Sequence, residues 1–141
     1  MNRLKVKYSN PEGLFDSKNY SQVVTVSGNA KTIYIGGQNA INPAGQLVGE
    51  DDFELQTKQV LENIKTALAS ENATFDDVIK LNIYIVQSCD PAAGFKVFKE
   101  TIGEMKKPPL ITVLKVAGLN NPLCLNEMDA IAVVEEKEYE N

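Results

Sequence analysis

Histidine is missing from the chain altogether. That removes Ser-His-Asp and Cys-His nucleophile systems, HExxH zinc sites and Cys2His2 fingers together. Cysteine occurs only as Cys89 and Cys124, far apart and without CxxC spacing, so neither a zinc cluster nor a redox pair is expected. Both are expected to be reduced, buried thiols. No metal and no cofactor is implied. Arginine occurs once, as Arg3, and the net charge is −5. A nucleic-acid binder shows a basic stripe with phosphate-clamping arginines. These cations are scattered lysines, so neither nucleic acid nor an anionic membrane is an expected partner. No apolar run approaches the length of about 18 residues needed to cross a bilayer. Met1 to Asn10 lacks the apolar centre of a secretory signal. A cytoplasmic location is the default expectation.

What is present is an ordinary globular composition, 43% apolar and 23% charged over 141 residues, which suits one domain spanning 1–141. A chain of this length buries about two-thirds of its unfolded surface. Lys5 to Tyr8 reads as a short edge strand. Gln22 to Ser27 and Thr32 to Gly37 read as an antiparallel hairpin joined at Gly28-Asn29. Gly36-Gly37 breaks the alternation, which fits either a bulge or a close approach by a ligand. Leu47-Val48 adds a short strand. Asp51, with Glu54 three residues on, resembles a capping box. Phe53, Val60, Leu61, Ile64, Ala67 and Leu68 then form one helical stripe, with Gln56, Lys58, Gln59, Glu62 and Lys65 facing elsewhere, and the helix stops near Asn72.

Asp76 to Val86 alternates as a strand, with Ile79, Leu81, Ile83 and Ile85 on one face. Asp90-Pro91 opens a second helix, striped by Phe95, Phe98 and Ile102 and ended by Gly103. Leu110 to Val116 and Leu123 to Val134 complete the strands, and Glu135 to Asn141 is a charged, frayed tail. The order β-β-α-β-α-β-β predicts an α+β domain of two layers, a mixed sheet with two helices on one face. Two helices cover only one face, yet the Asp76 to Val86 strand is apolar on both. Self-association is the expected remedy, because a bare sheet face is a large apolar patch.

Several segments, in order, resemble the Rid family (RidA/YjgF, the reactive intermediate deaminases, also labelled endoribonuclease L-PSP). Tyr20-Ser21-Gln22-Val23-Val24 is similar to its YSQA element, and Gly36-Gly37-Gln38 to its SGQ. Asn42-Pro43-Ala44-Gly45-Gln46-Leu47-Val48 resembles its P-x-T-G-x-[IL]-V turn. Gln56 to Ile64 resembles its QT-x-Q-[AV]-L-x-N-[IL] helix. Asp76-Asp77-Val78-Ile79-Lys80 resembles DDVVK, and Glu127-Met128-Asp129-Ala130-Ile131-Ala132 resembles EIEAIA. The match runs from about residue 20 to 133. The resemblance implies a chorismate-mutase-like fold, a homotrimer, small-molecule pockets at the subunit interfaces, and hydrolysis of 2-imino acids and their enamines to 2-keto acids and ammonia.

One residue of the family pattern is missing. The archetype carries an arginine after the proline that follows the second helix, in P-[AST]-R-[ST], where it clamps the substrate carboxylate with two parallel hydrogen bonds. Here that stretch is Pro108-Pro109-Leu110-Ile111-Thr112, and anchoring on Val116-Ala117 puts Ile111 at the arginine position. A one-residue slip gives Leu110 or Thr112, and none is basic. Lys115 shares the face of Ile111 but lies roughly 13 Å along the strand, too far to substitute directly, which leaves a lysine from another subunit as the alternative. The resemblance carries over Glu127 as the catalytic residue that positions and activates water. It also gives Gly37 as the pocket floor and Tyr20 as the closing residue. Phe95 stands where the family often has asparagine, and Ile111 and Val113 form an apolar wall. Two readings follow: a hydrolase of a small imine or enamine other than the usual 2-imino acids, or a non-catalytic trimer that binds a metabolite or a partner in its clefts. Ribonuclease activity is not expected without histidines or a cationic surface.

Overall fold

The computed structural model describes residues 2–137. Its elements run β1 (Lys5–Ser9), β2 (Val23–Ser27), β3 (Ala30–Gln38), α1 (Phe53–Ala69), a 3-10 turn (Phe75–Asp77), β4 (Val78–Val86), α2 (Pro91–Ile102), β5 (Leu110–Val116) and β6 (Asn126–Glu135). The α+β architecture with two helices and a mixed sheet is as expected. Glu135 belongs to β6 rather than to a tail, and the anticipated tail residues 138–141 lie outside the described residues.

The main sheet has the order β3-β6-β4-β5. Only β4 and β5 are parallel, because α2 carries the chain back across the sheet between them. The expected β2–β3 hairpin does not form. β2 pairs with β1 in a separate two-stranded sheet, and β3 pairs with β6. The turn between them explains the difference. Gly28 has φ +87 and packs so closely on Arg3 that a Cβ there would lie 2.0 Å from its carbonyl oxygen. Asn29 N–H donates to the Asn2 carbonyl at 2.7 Å. The end of β2 is thereby held to the chain entering β1. Leu47 forms only an isolated bridge with Ile41.

Asp52, not Asp51, caps α1: its side chain accepts from Leu55 N–H at 3.0 Å. Asp51 has φ 58 and belongs to the preceding turn. α1 ends at Ala69, and left-handed Asn72 (φ 57) turns the chain toward β4. The second helix follows its sequence signals closely, with Asp90 as N-cap, Pro91 in the first turn and Gly103 (φ 83) at the end.

The core lies between the helices and one face of the main sheet. Val60, Leu61, Ile64 and Leu68 of α1 meet Ile33, Ile35, Leu81, Met128, Ala130 and Ala132. Phe75 and Phe98 meet edge to face, with ring centroids 5.9 Å apart. In β4 the pairing with β6 shifts between Val78 and Lys80, so Ile79 is the extra residue of a bulge. Val78 and Leu81 are both fully buried as a result, and the alternation expected from Ile79 onward holds only from Lys80.

Gln56 is also not on the solvent face where the stripe placed it. It is fully buried and satisfied at both ends. Its Nε2 donates to the carbonyls of Gly49 and Leu123, both at 3.0 Å, and its Oε1 accepts from Leu125 N–H at 2.8 Å. It thus ties α1 to the segment that enters β6. Gln56→Met leaves three backbone groups without this partner. The expected cost is about 3 kcal/mol, read as a lower urea midpoint with unchanged slope. A change below about 0.5 kcal/mol would show that the bridge adds nothing to stability.

Candidate functional site

The two-residue period of the strands decides where each candidate side chain stands. In β6, Asn126, Met128 and Ala130 face the helices, opposite Ile85, Ile83 and Leu81 of β4. In β5, Ile111 and Val113 face the same way, opposite Leu81 and Ile83. Beside them α2 leaves part of the sheet uncovered, and a cavity of about 560 Å³ opens there. Tyr20, Phe95, Ile111 and Val113 all line it. Tyr20 reaches it because the next residue is fastened to the chain entering β5. Ser21 N–H donates to the Pro109 carbonyl at 3.0 Å and Ser21 Oγ to the Pro108 carbonyl at 2.5 Å. The inner wall is Leu81, Ile83, Ile85, Phe98 and Met128, so the cavity is apolar. Ile111, in place of a basic residue, continues that wall.

Among the described residues, charge enters only at the mouth. Lys18, Lys99 and Glu104 line the cavity and are exposed. Lys99 lies one helical turn beyond Phe95, and its Nζ is 4.9 Å from the centre of that ring. Neither mouth lysine was singled out from the sequence, although the Phe95-Lys99 spacing of four places both on one helix face. Lys115 is exposed and does not line the cavity.

Glu127 and Gly37 lie together elsewhere. Alternation turns Glu127 to the open face of the sheet, opposite Tyr84. A Cβ on Gly37 would come 2.7 Å from Glu127 Oε2, so the missing side chain makes room for the carboxylate. The pairing of β3 with β6 is irregular between Ile35 and Gln38, so the glycine pair marks a bulge as well as a close approach. Around them Asn82 Nδ2 donates to Asp129 Oδ1 at 2.8 Å. The Asp129 carboxylate pushes the Tyr84 phenol above its ordinary pKa, with smaller contributions from lost hydration, a hydrogen bond to Asp129 and the charge of Glu127. The open face also carries Tyr34, which is 77% exposed, and Leu114, at 49%. Of the two thiols, Cys124 is buried and its pKa is raised by that burial, whereas Cys89 is only partly buried, contrary to expectation.

The six residues singled out as a site thus form two groups on opposite faces of one sheet. That sheet and its two helices define a two-layer α+β domain. The chain belongs to the endoribonuclease L-PSP family, whose family model matches residues 14–134. It is similar to a RutC family protein of Pyrococcus abyssi, 36% identical over 116 residues that cover 82% of this chain and 87% of that one. Its fold is similar to that of a Rid family protein of unknown function from Yersinia pestis, with TM-score 0.77, 34% identity, and coverage of 95% of this chain and 100% of that one. RidA of an Antarctic Psychrobacter is similar with TM-score 0.65 and 29% identity, covering 91% of this chain and 94% of that one.

Two outcomes follow from this geometry. Gly37→Ala has ordinary backbone angles to adopt and meets only the end of a flexible side chain, so stability changes by less than about 1 kcal/mol while the Glu127 carboxylate is displaced. A crystal structure of the variant with Glu127 unmoved would contradict the contact. The raised Tyr84 pKa means that its phenol stays protonated beyond the ordinary tyrosine range. Its contribution to stability is complete below the unfolded tyrosine pKa and is lost as pH rises through the folded value. Asp129→Asn should move one ultraviolet tyrosine titration to lower pH, and an unchanged titration would remove Asp129 as the cause.

Proposed function

We propose that the protein is a homotrimer that binds a small molecule between subunits and hydrolyses a neutral imine or enamine there. The observation that carries this reading is the division of the site. Glu127 and Gly37 stand on the open face, while Tyr20, Phe95, Ile111 and Val113 line a cavity on the helix face. One chain cannot close both groups around one ligand, but a second copy can present its open face to the cavity of the first. Tyr34 and Leu114, exposed on that face, give association an apolar driving force.

In the proposed reaction Glu127 takes a proton from water as the water oxygen bonds to the imine carbon. The proton passes to nitrogen, the carbon–nitrogen bond of the resulting carbinolamine breaks, and ammonia and a carbonyl compound leave. An enamine first becomes the imine by protonation at carbon. The usual 2-imino acid substrates are disfavoured, because Ile111 supplies no partner for a carboxylate deep in the cavity. Losing such a charge partner costs roughly 2–5 kcal/mol. The apolar wall also supports a second reading, a non-catalytic trimer that holds a metabolite or a partner.

Ammonia release from imines made in situ by an amino-acid oxidase separates these readings. The expected result is little turnover of 2-imino acids, a gain of about 30-fold or more for Ile111→Arg, and loss of turnover on neutral imines for Glu127→Gln. Full wild-type activity on 2-imino acids would overturn the role given to Ile111. Turnover unaffected by Glu127→Gln would overturn the role given to Glu127. Sedimentation at micromolar concentration should give a trimer, and a monomer would overturn the shared site.

A further inference from the structure

Among the described residues lining the cavity, Asn126 is the one fully buried polar side chain. It stands on β6 opposite Ile85, with Met128 next on the same face. Its amide orientation is set by a neighbour. Thr57 Oγ1 gives its single proton to the Phe53 carbonyl at 2.8 Å, so it can only accept from Asn126, and Asn126 Nδ2 donates to it at 2.9 Å. The other end of the amide, Oδ1, is buried without any hydrogen-bond partner. Buried carbonyl oxygens are rarely left so. The oxygen itself has almost no exposed surface in the cavity, so a ligand reaches it only as a wall side chain shifts; with its orientation locked, it then selects for a donor. Met128 beside it is unbranched and can yield to an entering group.

We propose that the cavity takes a neutral, mostly apolar small molecule, aromatic or branched aliphatic, whose N–H or O–H donates to Asn126 Oδ1. This names the substrate class for the hydrolytic reading and rests on that reading for its chemistry: the N–H of an imine or enamine is the donor, and its apolar substituent fills the space between Ile111, Phe98 and Phe95. A carboxylate at this depth would meet the Asn126 carbonyl oxygen and no cation.

Indole and benzofuran test it by titration calorimetry on the full chain, because the two share a shape and differ in one N–H. Indole should bind roughly tenfold more tightly than benzofuran. Asn126→Val should remove the difference, and Val113→Trp, which fills the cavity, should remove binding of both. If Asn126→Val does not fold, the wild-type comparison with Val113→Trp still decides. Equal affinities, or no binding of either at millimolar concentration, would overturn the proposal. So would tighter binding of indole-3-acetate than of indole that Lys99→Met abolishes, which would assign the ligand to the mouth cation. Donor-selective binding without imine turnover would sink the hydrolytic reading and leave the binding site. Imine turnover without donor selectivity would do the reverse.

Discussion

The alternation of β6 governs everything else in the site. Consecutive side chains of a strand point to opposite faces, so Asn126 and Glu127, neighbours in sequence, cannot address the same space within one chain. β6 is a central strand, held by β3 on one side and β4 on the other. Its register therefore cannot slip without moving Met128, Ala130 and Ala132 out of the core. Gln56 secures the same strand at its entrance by accepting from Leu125 N–H. The core and the site thus depend on one register. Burial of one face fixes the carboxylate on the other, open face.

The lack of an arginine lining the cavity leaves the architecture intact. Ile111 occupies a wall position between Leu81 and Val113, which an apolar side chain fills without a partner. A guanidinium there would need an anion to offset its desolvation. The cations that do reach the cavity stand at its exposed mouth, where water screens them. Polarity inside comes instead from one amide, locked by Thr57. The similarity to RutC and RidA family proteins covers 82% and 91% of the chain.

Much of the fold was legible in the sequence, because local signals and packing agree there. Asp90-Pro91 and Gly103 bound α2 as written, and β5 has the limits expected of it. The failures share a cause in contacts between distant residues. The β2–β3 turn looks like a hairpin until Arg3 is packed beneath Gly28. Gln56 looks solvent-facing until Leu123 and Leu125, far along the chain, join nearby Gly49 in burying it. In the site, the family resemblance could suggest Glu127, Tyr20 and Ile111, but not that Glu127 stands on the opposite face from the other two. Asn126 carried no sequence signal, since its significance lies in an unpaired oxygen that only the packing creates.

The shared site is tested most directly by mixing two disabled proteins. Glu127→Gln lacks the carboxylate, and Val113→Trp has its cavity filled. If each site is built from two chains, subunit exchange between the two variants places an intact carboxylate against an intact cavity at some interfaces. Imine hydrolysis should then return in the mixture to a fraction of the wild-type rate, and only after exchange. A mixture that exchanges subunits yet stays inactive would mean that both groups act within one chain, contradicting the account.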